Sequence, residues 1–269
     1  MKPRNIAPAS PEKARALILS GVVLLDSTRV DKAGALVAAD AAVTVKGEVS
    51  PFVSRGGLKL KGALDHFGLD VQGMAVLDAG ASTGGFTDCL LQAGARKVFA
   101  ADVGYGQLAW KLREDPRVVV IERTIIRHYD GRHLDVKPEL AVIDVSFISL
   151  KTVIPAVRSL LADHARILAL IKPQFEAGRQ KVGRNGVVRD PRVHIEVLVH
   201  CINAAQGEGL NCIGITYSPI RGPKGNIEYF IHLRLQAEPM FDVQAQATEV
   251  VERAQRLLEE NWIENTDRK

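Results

Sequence analysis

The sequence predicts an α/β protein whose main domain is a doubly wound, mostly parallel sheet with an antiparallel last strand. From residue 74 onward, runs of consecutive apolar residues alternate with helical segments. Such runs indicate strands that are covered on both faces, as in parallel sheets with helices on each side. The chain has 269 residues, 46% of them hydrophobic, so it can hold this domain and a small companion.

The first 50 residues predict a small α+β module. Ser10 is a favoured helix N-cap, Pro11 fits the first helical position, and Gly21 ends the helix. Three short β-prone runs follow, at 22–25, 28–30 and 42–45. We therefore expect a module over residues 1–50 and a linker over residues 51–58.

Seven further strands are predicted in the rest of the chain. Five are apolar on consecutive residues and indicate the parallel sheet: 76–77, 98–103, 118–121, 140–145 and 167–171. The last two, 212–217 and 229–235, are joined by a turn-rich segment and predict an antiparallel pair. We expect one domain over residues 59–240, followed by a helical tail over residues 241–269.

Composition excludes several classes of protein. The longest uncharged apolar runs, such as Ile167–Ile171, fall far short of the roughly 20 residues that span a membrane. The N-terminus does not resemble a secretory signal, so we expect a cytoplasmic protein. Three cysteines without metal-ligand spacing indicate reduced structural thiols. A net charge of +4 permits a polyanionic partner without requiring one.

A glycine turn joins the first parallel strand to a helix, at the place where this class of fold binds ligands. Its residues run Asp78-Ala79-Gly80-Ala81-Ser82-Thr83-Gly84-Gly85-Phe86-Thr87. A dinucleotide fingerprint would have glycine where Ser82 stands, and a P-loop would carry Lys-Ser/Thr after Gly84. The turn therefore favours a nucleoside without a pyrophosphate.

Asp102 lies 24 residues after Asp78, at the end of the second parallel strand. An acid there can accept hydrogen bonds from both ribose hydroxyls of a nucleoside. This spacing suits S-adenosylmethionine, although a glycine turn without a ligand is the alternative. The candidate cofactor-binding residues are Asp78, Gly80, Ser82, Gly84, Gly85, Phe86, Asp102 and Val103.

Four charged residues are candidates for catalysis. Asp144 and Lys172 end two parallel strands, and Glu228 begins the antiparallel last strand, so all three meet at one edge of the sheet. Lys59 precedes the first strand of the domain. A partly desolvated lysine beside another cation can take a proton from a hydroxyl, and neighbouring acids would hold it in place. Solvated charges or structural ion pairs are the alternative for each.

The segment 166–192 holds seven basic residues against two acids. The count favours a basic patch that attracts phosphate groups. With RNA as the partner, as the family resemblance that follows implies, the loop Glu176–Arg189 with Arg179, Lys181 and Arg184 is expected to form part of the RNA-binding surface. A solvated loop with incidental charge is the alternative.

The chain resembles the TlyA family of ribosomal RNA 2'-O-methyltransferases, relatives of the FtsJ-type ribose methyltransferases. The resemblance covers residues 53–235 and rests on six motifs in the correct order: Ser54–Leu60, Asp78–Thr87, Asp102–Leu108, Asp144–Leu150, Lys172–Glu176 and Gly225–Phe230. It implies a Rossmann-like S-adenosylmethionine-dependent methyltransferase domain behind an S4-type RNA-binding module. The implied partner is ribosomal RNA or a ribosomal subunit, and the implied reaction methylates cytidine ribose.

The family's catalytic tetrad falls on Lys59, Asp144, Lys172 and Glu228. The resemblance implies that Lys172 lowers the pKa of the 2'-hydroxyl or accepts its proton. Asp144 and Glu228 would orient the lysines, and Lys59 would help to position the hydroxyl. No metal, membrane or obligate protein partner is implied.

One departure from the family lies at the N-terminus. The S4-type module opens with an Arg-Leu-Asp-rich helix, and Met1–Ala7 replaces it here, so the module is predicted to be partial. An RNA-binding ribosome assembly factor that binds S-adenosylmethionine without turnover is therefore a second hypothesis. A haemolysin-like membrane-active protein is a third, which the lack of an apolar or amphipathic lytic segment disfavours.

Overall fold

The structure, a computed structural model, describes residues 11–19, 23–26, 28–30, 32–38, 40–45, 50–235 and 241–266. Near the N-terminus, α1 (Pro11–Leu19) begins at the predicted proline. A small antiparallel sheet of order β2-β1-β3 follows, made of β1 (Val23–Leu25), β2 (Thr28–Arg29) and β3 (Val43–Val45). The predicted cap Ser10, the predicted helix stop Gly21 and the divergent Met1–Ala7 segment lie outside the described residues.

The large sheet has seven strands in the order β6-β5-β4-β7-β8-β10-β9. Every pair from β6 to β8 is parallel, and β10 runs antiparallel to both β8 and β9. This confirms the predicted α/β class and the antiparallel last strand. The strands are β4 (Ala75–Ala79), β5 (Lys97–Ala101), β6 (Val118–Ile121), β7 (Leu140–Ile143), β8 (Arg166–Ile171), β9 (Leu210–Tyr217) and β10 (Tyr229–Leu235).

Helices cover both faces of this sheet. They are α2 (Gly56–Phe67), α3 (Gly85–Gln92), α4 (Trp110–Arg113), α5 (Leu150–Leu160), α6 (Pro173–Glu176), α7 (Pro191–Gln206) and α8 (Val243–Thr266). Neighbouring residues of β4 belong to opposite cores: Leu77 lies in the core that includes residues of α5, α7 and α8, and Val76 lies in the core that includes residues of α2 and α3. Burial on both faces explains why the strands are continuous apolar runs.

Two predicted strands end earlier in the structure than in the sequence pattern. The runs 98–103 and 140–145 leave the sheet after Ala101 and Ile143. After Ala101 the chain turns because the Asp102 carboxylate accepts a hydrogen bond from the Gly104 N–H at 2.6 Å. Asp102, Val103 and Asp144 therefore stand in loops beyond the strands, where a ligand can reach them.

Residues 51–58, predicted as a linker, pack against the large domain. Phe52 is 8% exposed and belongs to the core beside α2 and α3. The Val53 N–H donates to Asp88 Oδ2 of α3 at 2.8 Å, and α2 begins at Gly56. The packed part of the large domain thus begins before residue 59.

The order of the strands determines where the ligand-binding crevice lies. The chain runs outward from β4 through β5 to β6, and then returns to the other side of β4 with β7 and β8. The reversal between β4 and β7 opens a crevice at the carboxyl ends of the strands, which is where ligands bind in doubly wound sheets. In the described part of the chain, no helix is both long and apolar enough to span a bilayer.

Candidate active site

The glycine turn after β4 is built against the neighbouring strand. Gly80 and Gly84 have φ of +93° and +95°, in the left-handed region that favours glycine. A Cβ on Gly80 would lie 2.6 Å from the carbonyl oxygen of Asp144. The glycine turn and Asp144, the first residue after β7, are therefore in direct backbone contact.

Asp78 is fully buried beneath this turn. Its Oδ2 accepts a hydrogen bond from Thr87 Oγ1 at 2.6 Å, while its Oδ1 is buried without a hydrogen-bond partner among the described residues. Burial raises the pKa of Asp78 to about 7, and the nearby Asp144 charge adds to the effect. A buried carboxyl oxygen without a partner is costly, and such groups concentrate at functional sites.

Asp102 fastens the turn from the side of β5. Its Oδ2 accepts from the Ser82 N–H at 2.8 Å and its Oδ1 accepts from the Gly104 N–H at 2.6 Å. Ser82 has a φ of +50°, so the carboxylate holds a non-glycine residue in a left-handed conformation. Gln107 lies beside it, with Oε1 3.4 Å from Ser82 Oγ. Gln107 was not among the predicted site residues, although it lies within the Asp102–Leu108 motif.

The other predicted cofactor residues divide into two groups. Val103 is 69% exposed beside Asp102, and is accessible to a ligand. Phe86 is 3% exposed and its ring packs on Phe230, with centroids 6.1 Å apart. The Phe86 ring faces the sheet because α3 turns this residue inward, and the assignment of Phe86 to the cofactor site stays a prediction. Gly85 is also buried, and a Cβ there would overlap Ser54 Oγ.

The four predicted catalytic residues form two ion pairs. Lys59 Nζ lies 2.5 Å from Glu228 Oε2, and the Glu228 side chain is completely buried. Lys172 Nζ lies 2.7 Å from Asp144 Oδ1 and donates to Ser146 Oγ at 2.9 Å. The Asp144 side chain is 19% exposed, so the Lys172 pair is the more accessible of the two.

An aromatic pair, of which Phe147 is exposed and Phe175 partly buried, borders Lys172. Phe147 is 88% exposed with a φ of +65°, which is a strained conformation for a bulky residue. Its ring centroid lies 4.7 Å from that of Phe175, and Lys172 Nζ lies 5.9 Å from the Phe175 centroid. Neither Phe147 nor Phe175 was among the predicted site residues, and no local sequence signal indicated that the Phe147 ring would be exposed.

The described residues include no group of three or more His, Cys, Asp or Glu side chains that could hold a metal ion. All three cysteines are buried, and burial raises the pKa of the Cys89 thiol to about 12 and that of Cys212 to about 11. Such thiols are protonated and unreactive at neutral pH.

Residues 52–235 match the family model described as FtsJ-like methyltransferase. The chain is 48% identical over 253 residues to YqxC of Bacillus subtilis, which carries a provisional name as an rRNA methyltransferase; the match covers 93% of this chain and 90% of YqxC. It is 46% identical over 230 residues to the 16S/23S rRNA (cytidine-2'-O)-methyltransferase TlyA of Mycobacterium tuberculosis, covering 85% and 86%.

A solved structure from Streptococcus thermophilus, provisionally named a hemolysin, superposes with a TM-score of 0.79 at 43% identity, covering 93% of this chain and 92% of that one. The motifs around the two ion pairs and the glycine turn lie within the matched region. The chain therefore belongs to the FtsJ-like methyltransferases and, among them, to the TlyA family.

Proposed function

We propose that the protein transfers the methyl group of S-adenosylmethionine to the 2'-hydroxyl of a cytidine ribose in ribosomal RNA. One observation carries the proposal: Gly80 of the glycine turn packs on the backbone of Asp144, whose side chain holds Lys172. A cofactor on the turn and a hydroxyl at Lys172 would thus be neighbours, which is what a direct transfer requires. The cytidine-specific names of the relatives support the choice of nucleoside.

The residues of the turn fit S-adenosylmethionine. The turn has neither the pyrophosphate glycine at position 82 nor the lysine of a P-loop, so it suits a nucleoside ligand. Asp102 would accept hydrogen bonds from the ribose hydroxyls, and the orphaned Oδ1 of Asp78 offers an acceptor for a donor group of the ligand. When bound, the cofactor supplies an electrophilic methyl group on a sulfonium.

Lys172 is the group that we place against the 2'-hydroxyl. Asp144 and Ser146 hold its Nζ from one side. Its remaining hydrogen-bonding direction would meet the hydroxyl. As an ammonium group Lys172 would lower the pKa of that hydroxyl, and as a neutral amine it would accept the proton and leave an oxygen ready for in-line attack. Lys59, which the buried Glu228 carboxylate orients, would help to position the hydroxyl.

The aromatic pair supplies a place for the base of the target nucleotide. A base whose ribose is methylated beside Lys172 must lie near Phe147 and Phe175, and exposed aromatic rings stack on unpaired bases. The strained φ of Phe147 is consistent with a functional reason for its exposure. We assign the small N-terminal module to RNA docking and expect the protein to act in the cytoplasm with ribosomes.

The proposal is tested by incubating the protein with labelled S-adenosylmethionine and ribosomal subunits that lack the modification. The RNA is then digested and its nucleosides are identified by mass. We expect 2'-O-methylcytidine on at least one subunit. A methylated base, or a different methylated ribose, would overturn the assignment, and cofactor binding without any transfer would favour the assembly-factor hypothesis.

A further inference from the structure

The loop between α6 and α7 carries cations that no described carboxylate neutralises. Arg184 and Arg189 are exposed and form no salt bridge with a described residue. The acids of the same region are already engaged: Asp190 caps α7 and pairs with Arg192, and Glu196 pairs with Lys181 at 2.5 Å. The loop therefore presents net positive charge to solvent.

A third cation joins this loop from the turn before β10. Lys224 is exposed, without a salt bridge to the described residues, and has a φ of +62°. A Cβ placed on Gly186 would lie 3.6 Å from Lys224 Nζ, so the ammonium group lies against the tip of the loop. The loop also borders an open pocket of about 280 Å³, which Arg184, Val187 and Arg189 help to line.

Asn226 fixes the shape of this loop. It is 2% exposed, its Oδ1 accepts from the Val188 N–H at 3.1 Å, and its Nδ2 donates to the Gly186 carbonyl at 2.9 Å. A buried amide that satisfies one donor and one acceptor of a distant segment holds the two backbones in a single register.

His194 adds a second anchor. It is 1% exposed, with Nε2 2.9 Å from the Val188 carbonyl and Nδ1 2.8 Å from the Tyr229 hydroxyl. Because a carbonyl can only accept, Nε2 carries the proton and the Tyr229 O–H donates to Nδ1. Burial lowers the pKa of His194, which favours this neutral form.

Both anchors are connected to Glu228, one of the four candidate catalytic residues. Asn226 and Tyr229 flank Glu228 in the sequence, and the Asn226 carbonyl accepts from the Gly222 N–H at 2.8 Å. Gly222 in turn lies so close to the Glu228 carboxylate that a Cβ there would overlap it. These contacts fix the position of the loop relative to the Lys59–Glu228 ion pair.

We propose that Arg184, Arg189 and Lys224 form a phosphate-binding surface for the RNA strand that carries the target nucleotide, with Asn226 as its positioning residue. A fixed set of cations beside an active site binds the regularly spaced phosphates of a nucleic acid and sets its register. The inference rests on the proposed function for the identity of the RNA, but the binding experiment below needs no turnover.

The test measures the affinity of labelled ribosomal subunits for three proteins at several salt concentrations. In the first variant, Arg184, Arg189 and Lys224 are replaced by alanine. We expect affinity to fall about tenfold or more and the slope of log Kd against log salt to decrease by roughly 2 to 3. The matched control replaces Arg96, Arg117 and Lys137, which precede β5, β6 and β7 at the opposite edge of the sheet, and should bind as wild type does.

Asn226→Ala tests the positioning role, because it removes no charge. We expect weaker RNA binding and a smaller salt slope, with S-adenosylmethionine affinity retained. Adding Asn226→Ala to the triple variant should reduce RNA affinity little further, since both changes act on the same contacts. Should Asn226→Ala fail to fold, Tyr229→Phe removes only the hydrogen bond to His194 and should give a milder loss of the same kind.

Two results would overturn the inference. RNA binding by the triple variant within twofold of wild type, at an unchanged salt slope, would exclude the surface. A full additional loss on adding Asn226→Ala to the triple variant would exclude the positioning role. If wild type binds RNA through these residues yet transfers no methyl group, the surface stands and the proposed function fails.

Discussion

Lys59 Nζ lies 2.5 Å from Glu228 Oε2, although 169 positions separate the two residues in the chain. The contact joins α2 to the start of β10, and both side chains are withdrawn from solvent. A buried pair of this kind is held by its mutual attraction, and removal of one partner leaves an uncompensated charge.

Glu228→Ala is therefore expected to lower the free energy of unfolding by about 3 kcal/mol or more, because Lys59 would be left without its acid. Urea denaturation followed by circular dichroism measures the change. Asp65→Ala, which breaks the exposed Lys61–Asp65 pair, is the matched control and should cost less than about 0.5 kcal/mol. Equal effects of the two substitutions would contradict a buried, paired Glu228.

Phe147→Ala is expected to raise the KM for RNA by roughly 5- to 100-fold, because base stacking on an aromatic ring contributes about 1–3 kcal/mol. Cofactor affinity should not change. Phe147→Gly should lose stacking equally and yet be at least as stable as wild type, since glycine accommodates the φ of +65° without strain. Trp110→Ala, another exposed aromatic residue, is the control. Wild-type KM values in both Phe147 variants would exclude the stacking role.

Asp102→Asn should weaken S-adenosylmethionine binding by about 10- to 100-fold. The asparagine amide can accept only one of the two hydrogen bonds from Ser82 and Gly104, and the charge that strengthens them is lost. Isothermal titration calorimetry with the cofactor and with S-adenosylhomocysteine measures the effect. Asp163→Asn, at an exposed position, should bind normally. An Asp102→Asn protein with wild-type affinity would remove Asp102 from the cofactor site.

The buried Asp78 carboxyl makes the free energy of unfolding depend on pH, and the direction of its pKa shift sets the sign. Its pKa is raised to about 7 in the folded protein, so the folded state binds more protons than the unfolded state between about pH 4 and pH 7. The contribution of Asp78 to stability is thus largest in acid, and falls by up to roughly 4 kcal/mol as the pH rises through this range.

Asp78→Asn should abolish this dependence. The free energies of unfolding of wild type and variant must be subtracted at each pH. Burial lowers the pKa of His232 to about 4, so His232 makes stability rise with pH in both proteins. We expect the variant to gain stability relative to wild type from pH 5 to pH 8, measured by urea denaturation. Parallel curves for the two proteins would show that Asp78 does not titrate in this range.

Much of the fold follows from local sequence patterns. The strands of the large sheet were predictable because consecutive apolar residues require cover on both faces, and the meeting of Asp144 with Lys172 follows from parallel strand direction alone. The ends of β5 and β7 were not predictable. The end of a strand depends on contacts such as the hydrogen bond that the Asp102 carboxylate accepts from the Gly104 N–H. The packing of the Phe86 ring on Phe230 was not predictable either, because it depends on how α3 lies on the sheet.

Other features of the site depend on tertiary contacts that carry no local signal. The pairing of Lys59 with Glu228 requires the placement of α2 over the sheet. The hydrogen bond between Val188 and Asn226 joins residues 38 positions apart, and neither residue type predicts it. The exposure of Phe147 is equally hidden, because aromatic residues seldom adopt positive φ and sequence propensity predicts the opposite.

The most direct test of the account compares methyl transfer to ribosomal RNA by wild type, Lys172→Ala and Lys151→Ala, with cofactor affinity measured for each. Lys151 is an exposed lysine at the start of α5 and serves as the control. We predict that Lys172→Ala binds the cofactor normally but transfers methyl at least about 100-fold more slowly, while Lys151→Ala is unaffected. Transfer by Lys172→Ala at the wild-type rate would contradict the assignment of the 2'-hydroxyl to Lys172.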